Sequence, residues 1–184
     1  MATFRGFIAI DIDVFPKLVQ FENEIRNSGA NVKLVEPENI HITIKFLGDT
    51  DEGLVERIEE IIKDAAGGLD PFEIKLKGAG VFPNNNYIKV MWIGIENGER
   101  IGKIANKIDE KISELGFEKE KRRFSAHLTI ARVKSAKNKE KLLQLIEKYG
   151  EIEFGTLMVN TIKLKKSELT SKGPIYTTLK EVKL

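Results

Sequence analysis

The chain has no cysteine, only two histidines and one tryptophan, and almost no charge imbalance: 30 Lys and Arg stand against 28 Asp and Glu in 184 residues, a formal charge of +2. Each shortage excludes something. Without cysteine there are no disulfides, no thiolate metal ligands and no cysteine nucleophile. A nearly neutral chain does not choose a partner by overall charge, so charge has to be read locally. No run of about 18 apolar residues is present, and the opening Met1-Ala2-Thr3-Phe4-Arg5-Gly6 lacks the charged and apolar regions of a secretory leader. A cytoplasmic chain with no membrane span is therefore expected. No stretch is rich enough in Pro or Ser to act as a linker between domains. A hydrophobic fraction of 41% with 32% charged residues fits one compact globular unit over residues 1–184.

Both histidines belong to a four-residue phrase that occurs twice, His41-Ile42-Thr43-Ile44 and His127-Leu128-Thr129-Ile130. Side chains alternate across a strand, so His and Thr at i and i+2 share one face and the two apolar residues share the other. Each copy thus presents an imidazole beside a hydroxyl, anchored from behind. One such tetrad would be an ordinary strand. Two that consume every histidine in the chain point to function.

The surrounding pattern supplies the frame. Strands are expected over Phe4–Asp11, Val32–Val35, Ile40–Leu47, Phe72–Lys77, Tyr87–Ile95, Ser125–Val133, Phe154–Lys165 and Ile175–Leu184. Helical spacing of apolar residues predicts helices over Val14–Ser28, Leu54–Ala66, Ile101–Leu115 and Lys139–Tyr149, mostly closed by glycines. Residues 83–86, 117–123 and 170–174 read as loops. The histidines are 127 − 41 = 86 residues apart, near half of the 184-residue chain, which suggests an internal duplication. The predicted fold is α+β, with two pseudo-symmetric lobes whose motif strands face each other across a cleft.

An imidazole titrates near neutrality, so one can take a proton from an attacking group while another gives one to a leaving group. The two threonines can donate to non-bridging oxygens lying between them, where an anionic transition state gathers charge. Phosphodiester cleavage needs this combination and does not require a metal. Other chemistries lack their parts. There is no His-Glu-x-x-His pair and no acidic cluster of metal-ligand spacing, and no Gly-x-Ser-x-Gly elbow. Gly98-Glu99-Arg100-Ile101-Gly102-Lys103 is a residue too short for a phosphate loop, and Ile104 stands where a magnesium-binding hydroxyl belongs. Nine basic residues between Lys119 and Lys141 bracket the second tetrad. Most fit a solvated surface, but the stretch is also the electrostatic footprint expected for nucleic acid. Arg132 is the sharpest of them. On an unbroken strand, five residues after His127, it would point away from the His/Thr face, so a bend is needed to bring it round.

These residues resemble the 2H phosphoesterases, and within them the RNA 2′,3′-cyclic phosphodiesterases, also called 2′-5′ RNA ligases. The resemblance rests on 39–48, Asn-Ile-His-Ile-Thr-Ile-Lys-Phe-Leu-Gly, and on 124–132, Phe-Ser-Ala-His-Leu-Thr-Ile-Ala-Arg. The opening Arg5-Gly6-Phe7-Ile8-Ala9-Ile10 and the closing Ser167-Glu168-Leu169 and Gly173-Pro174-Ile175-Tyr176 are similar more loosely. The resemblance implies antiparallel sheets with helices outside and cofactor-free, metal-free hydrolysis of an RNA 2′,3′-cyclic phosphate to a 2′-phosphate. By position, His41 would protonate the departing O3′ and His127 would activate water. Thr43 and Thr129 would hold the non-bridging oxygens, Arg132 would bind phosphate, and Phe7 would touch the nucleotide. Run backwards with a 5′-hydroxyl, the site would make a 2′-5′ linkage, with tRNA halves as candidate partners and a monomer as the working unit. A small cyclic nucleotide as substrate, or a non-catalytic RNA- or nucleotide-binding module, are the competing readings.

Overall fold

The two tetrads fold into different sheets. The computed structural model describes residues 2–184. In chain order its elements are β1 (Thr3–Asp11), α1 (Pro16–Asn27), β2 (Val32–Leu34), β3 (His41–Asp51), α2 (Val55–Ala66), β4 (Phe72–Asn84), β5 (Tyr87–Glu96), α3 (Glu99–Ile112), β6 (His127–Val133), α4 (Lys139–Lys148), β7 (Glu153–Val159), β8 (Thr161–Thr170) and β9 (Gly173–Lys183). The first sheet has the order β3-β1-β8-β9 and the second β2-β6-β5-β4-β7. All neighbouring strands are antiparallel. Aside from the short edge strand β2, the sheets correspond strand for strand, with β3 and β6 in matching places. This is the two-lobed α+β architecture that the duplicated pattern predicts.

Helix periodicity decides what covers the outside. The apolar stripe of α2 buries Ile58, Ile61, Ile62, Ala65 and Ala66, and that of α3 buries Ile101, Ile104, Ala105, Ile108 and Ile112. These helices pack on each other, α2 also against β8 and β9 and α3 against β3, while α1 lies against β2, β7 and α4. Each fully buried isoleucine contributes roughly 1.5–3 kcal/mol, so these stripes hold the lobes from outside. Buried apolar residues of both sheets join in one continuous core, from which Phe7 and Ala9 of β1 stand apart.

Several elements differ from the sequence expectation, each for a local reason. The predicted strand 154–165 is two strands: β7 ends at Val159 in the second sheet, and after Asn160 β8 enters the first. The chain's last two strands therefore complete the sheet that its first strand began. β3 does not stop at Gly48, because that residue adopts φ +69 and sits at an irregularity that lets pairing with β1 continue to Asp51. β4 runs through to Asn84 rather than ending at Lys77, and β8 and β9 pair up to Thr170 and Gly173, so both predicted loops shrink to tight turns. α1 starts at Pro16, which suits a first helical position. Residues 117–123 form no helix or strand, as expected.

One irregularity matters for the site and occurs twice. Opposite β1, the register jumps between Ile8↔Lys45 and Ala9↔Thr43, leaving Ile44 as an extra residue. Opposite β5, it jumps between Met91↔Ala131 and Trp92↔Thr129, leaving Ile130 extra. Both bulges fall on the last residue of a tetrad. A bulge reverses the alternation beyond it. Thus Ile44 and Lys45 are both buried, as are Ile130 and Ala131, and the following Phe46 and Arg132 return to the His/Thr face.

Candidate active site

His41, Thr43, His127, Thr129, Arg132 and Phe7, from both sheets, line one cleft of about 430 Å³. β3 and β6 lie against each other across it. The bulge at Ile130 supplies the bend that Arg132 required, and its exposed guanidinium faces the cleft beside Thr129.

The histidines are held in the same way. Nδ1 of His41 is 2.8 Å from the carbonyl oxygen of Asn39, and Nδ1 of His127 is 2.8 Å from that of Ser125. A carbonyl can only accept, so each Nδ1 carries the proton and donates it. Nε2 is thereby left as the ring nitrogen available for proton transfer. A short 3₁₀ turn, Pro37–Asn39, positions the first carbonyl.

Aromatic rings brace both imidazoles. Phe7 and Tyr176 flank His41 with centroids 5.0 and 5.4 Å away, and Tyr176 also meets the edge of Phe7 at 5.0 Å. Phe7 is only 4% exposed; its ring packs against His41 and Tyr176 and also lines the cleft. Phe82 stands edge-on to His127 at 5.1 Å and packs against Trp92. Trp92 in turn lies flat over Gly80, where an added Cβ would come within 2.1 Å of the indole. Glycine is what lets that ring approach the backbone.

Charge distinguishes the two sides. Asp11 pairs with His41 across β1 and β3, and Lys163 and Lys165 reach its carboxylate at 2.8 and 2.6 Å. Burial pushes the Asp11 carboxyl up, but these lysines outweigh it and hold it below its ordinary range. Burial lowers the His41 imidazole below its usual value, with Lys165 acting in the same direction and the Asn39 carbonyl and Asp11 opposing. Burial raises the Tyr176 hydroxyl, while the charge of Arg132, which lines the same cleft from the other lobe, lowers it. With only two imidazoles in the chain, the His41 resonance can be followed by NMR. The His41 resonance is expected to titrate below 6.5, and Lys165→Met to move it upward; an unshifted or downward-moved midpoint would show that burial and this lysine do not set its charge.

Sequence reasoning assigned no role to Tyr176, Asn39, Phe46 or Phe82. Tyr176, Asn39 and Phe46 lie inside the stretches that carried the family resemblance, but their place depends on register and on bulges. Phe82 carried no signal, since it fell next to a predicted loop. Among the described residues no group of three or more His, Asp or Glu side chains is arranged to hold a metal, and no helix is long and apolar enough to cross a membrane.

Comparison with known proteins agrees with this duplicated architecture. The family model described as LigT-like phosphoesterase matches twice in tandem, over residues 8–92 and 93–176. The chain is 48% identical over 179 residues to a protein of Methanocaldococcus jannaschii named RNA 2′,3′-cyclic phosphodiesterase, covering 96% of this chain and 99% of that one. It is 42% identical over 182 residues to the Methanothermobacter thermautotrophicus protein of the same name, covering 98% of each. A crystal structure of a Thermus thermophilus protein superposes with a TM-score of 0.81 at 26% identity over 98% of this chain and 97% of the other. Escherichia coli LigT complexed with 3′-AMP shares the fold, with a TM-score of 0.76 at 20% identity over 100% and 99% of the two chains.

Proposed function

Because the chain belongs to the LigT-like phosphoesterase family, we propose that it is an RNA 2′,3′-cyclic phosphodiesterase that opens the cyclic phosphate to a 2′-phosphate without a metal ion. The observation that carries this reading is the matched pair of imidazoles. Each is fixed through Nδ1 by a carbonyl two residues upstream, and both border one cleft. The near-complete coverage of relatives bearing that name supports the substrate class. The continuous apolar core supports one bilobal domain over the whole chain.

In this mechanism Nε2 of His127 takes a proton from water as its oxygen forms a bond to phosphorus. The P–O3′ bond breaks in line, and His41 gives O3′ a proton. Thr43 and Thr129 donate hydrogen bonds to the two non-bridging oxygens, and Arg132 offsets the charge they gather. The lowered pKa leaves much of His41 neutral in the free protein at neutral pH. The bound phosphate anion favours the imidazolium that the step requires. A 5′-hydroxyl attacking in place of water, with the same P–O3′ bond broken and the same two proton transfers, gives 2′-5′ joining, with tRNA halves as candidate substrates.

The test is incubation with a short RNA ending in 2′,3′-cyclic phosphate, in EDTA, followed by mapping of the product phosphate. A 2′-phosphate formed at an undiminished rate is expected. A 3′-phosphate would overturn the acid and base order, and loss of activity restored by added metal would overturn the metal-free step. Turnover of cyclic mononucleotides without turnover of RNA would replace the substrate.

A further inference from the structure

A second groove adjoins the cleft and shares one residue with it. It is a space of about 680 Å³ between β3 and the segment 116–122, and Phe46 lines both it and the histidine cleft. Phe46 is there because of the bulge at Ile44, and it holds the position in the first lobe that Arg132 holds in the second. Its ring is 49% exposed, and the guanidinium of Arg5 stacks over it at 5.1 Å. An exposed aromatic with a stacked cation, at the mouth of an anion-binding cleft, is a platform on which a base can lie.

The groove's charge is consistent with a polyanion. Lys45 at its floor is 3% exposed and neutralised by Asp109 at 2.8 Å and Glu120 at 3.2 Å, and it donates to the carbonyl of Glu118 at 2.7 Å. Those bonds tie the irregular segment to β3. Asp49 and Glu118 contribute carboxylates to the lining, but Lys119, Lys121 and Arg122 form no ion pair among the described residues and are exposed along it. They are the first part of the basic stretch seen in the sequence. Of the rest of that stretch, Arg132 and Lys134 line the histidine cleft.

We propose that this groove binds the single-stranded RNA immediately 5′ of the nucleotide that carries the cyclic phosphate, with a base stacked on Phe46 and the following phosphates along Lys119, Lys121 and Arg122. The inference rests on the proposed function, and the direction follows from it. If O3′ departs beside His41, the terminal ribose lies on the first-lobe side, and its 5′ continuation leaves along β3. Phe46 lies about 13 Å along that strand from His41, at roughly 3.3 Å per residue with one residue taken up by the bulge. The groove therefore makes the protein select a polymer end over a free nucleotide.

The experiment compares kcat/KM for 2′,3′-cyclic AMP, a dinucleotide and an octanucleotide, the oligomers ending in 2′,3′-cyclic phosphate, in the intact protein and in the triple variant Lys119→Ala, Lys121→Ala, Arg122→Ala. In the intact protein the octanucleotide is expected to exceed the dinucleotide by roughly tenfold at low salt, and the log–log salt slope to be steeper for the octanucleotide by about 0.7 for each phosphate contacted. The triple variant is expected to lose both the gain and the extra slope while hydrolysing 2′,3′-cyclic AMP within about twofold of normal. Phe46→Ala is expected to reduce the length gain more than Phe46→Tyr, which preserves a stacking face. Equal rates for dinucleotide and octanucleotide, or a gain that survives the triple variant, would overturn the groove. Failure to hydrolyse any of the three substrates would instead overturn the proposed function.

Discussion

Replacing His41 or His127 with alanine is expected to lower kcat on an RNA 2′,3′-cyclic phosphate by about 10²- to 10⁴-fold each, the range a positioned general acid or base supplies. The double variant should be little slower than the slower single variant, because two groups acting in one concerted transfer are not additive. Both side chains also pack against rings, His41 between Phe7 and Tyr176 and His127 against Phe82, so a lost rate has to be separated from a loosened site. His41→Asn and His127→Asn fill part of the space and can still hydrogen-bond the carbonyls of Asn39 and Ser125, yet neither transfers a proton near neutral pH. If the imidazoles act as acid and base, the asparagine variants stay as slow as the alanines with near-normal KM and melting temperature. Recovery of more than a tenth of the normal rate in either asparagine variant would reduce that histidine to a structural part.

The second large effect concerns stability and a residue far from any tetrad. Glu22 lies on the inward face of α1 with Leu18, Phe21 and Ile25. It is 2% exposed, and neither carboxylate oxygen has a hydrogen-bond partner among the described residues. Burial raises its pKa from 4.5 to about 8, opposed by Arg26 and reinforced by Glu36 and Glu38. Between those values the folded chain holds a proton that the unfolded chain has released. Stability therefore falls as pH rises through that window and levels off above it. At about 1.36 kcal/mol per unit the loss is on the order of 5 kcal/mol. Glu22→Gln keeps the shape of the protonated acid and cannot ionise. Its melting temperature should match that of the parent near pH 5 and exceed it by roughly 10 °C at pH 9, at a few degrees per kcal/mol for a chain of this size. Thermal melts across pH decide it: an equal difference at both ends would show that Glu22 ionises freely in the folded chain.

Several features were legible without a structure because they depend on local periodicity. The helical stripes of α2 and α3 repeat every three or four residues, and both fold where that spacing predicts. The alternation within each tetrad fixes His and Thr to one face, and that much is set by the chain's own geometry. Two copies using both histidines marked the candidate site. The tandem family match shows the same duplication.

What periodicity could not carry was register and partner choice. A strand's pattern says which side chains share a face, not which strand lies beside it, so nothing in 154–165 marked Asn160 as the point where the chain changes sheets. Nor does alternation foresee a bulge, since an extra residue is a property of two paired strands. That is why Arg132 read as pointing away and Phe46 drew no attention: the extra residues at Ile130 and Ile44 turn both toward the cleft. Glu22 was silent for the complementary reason. One polar residue within an apolar helical stripe does not disturb the pattern, and only the packing of α1 against β2, β7 and α4 buries that carboxyl with no hydrogen-bond partner among the described residues. The sequence by itself determined which chemical groups stand side by side and which helices form. The tertiary structure decided what faces what, because sheet pairing and burial join residues that are distant in the chain.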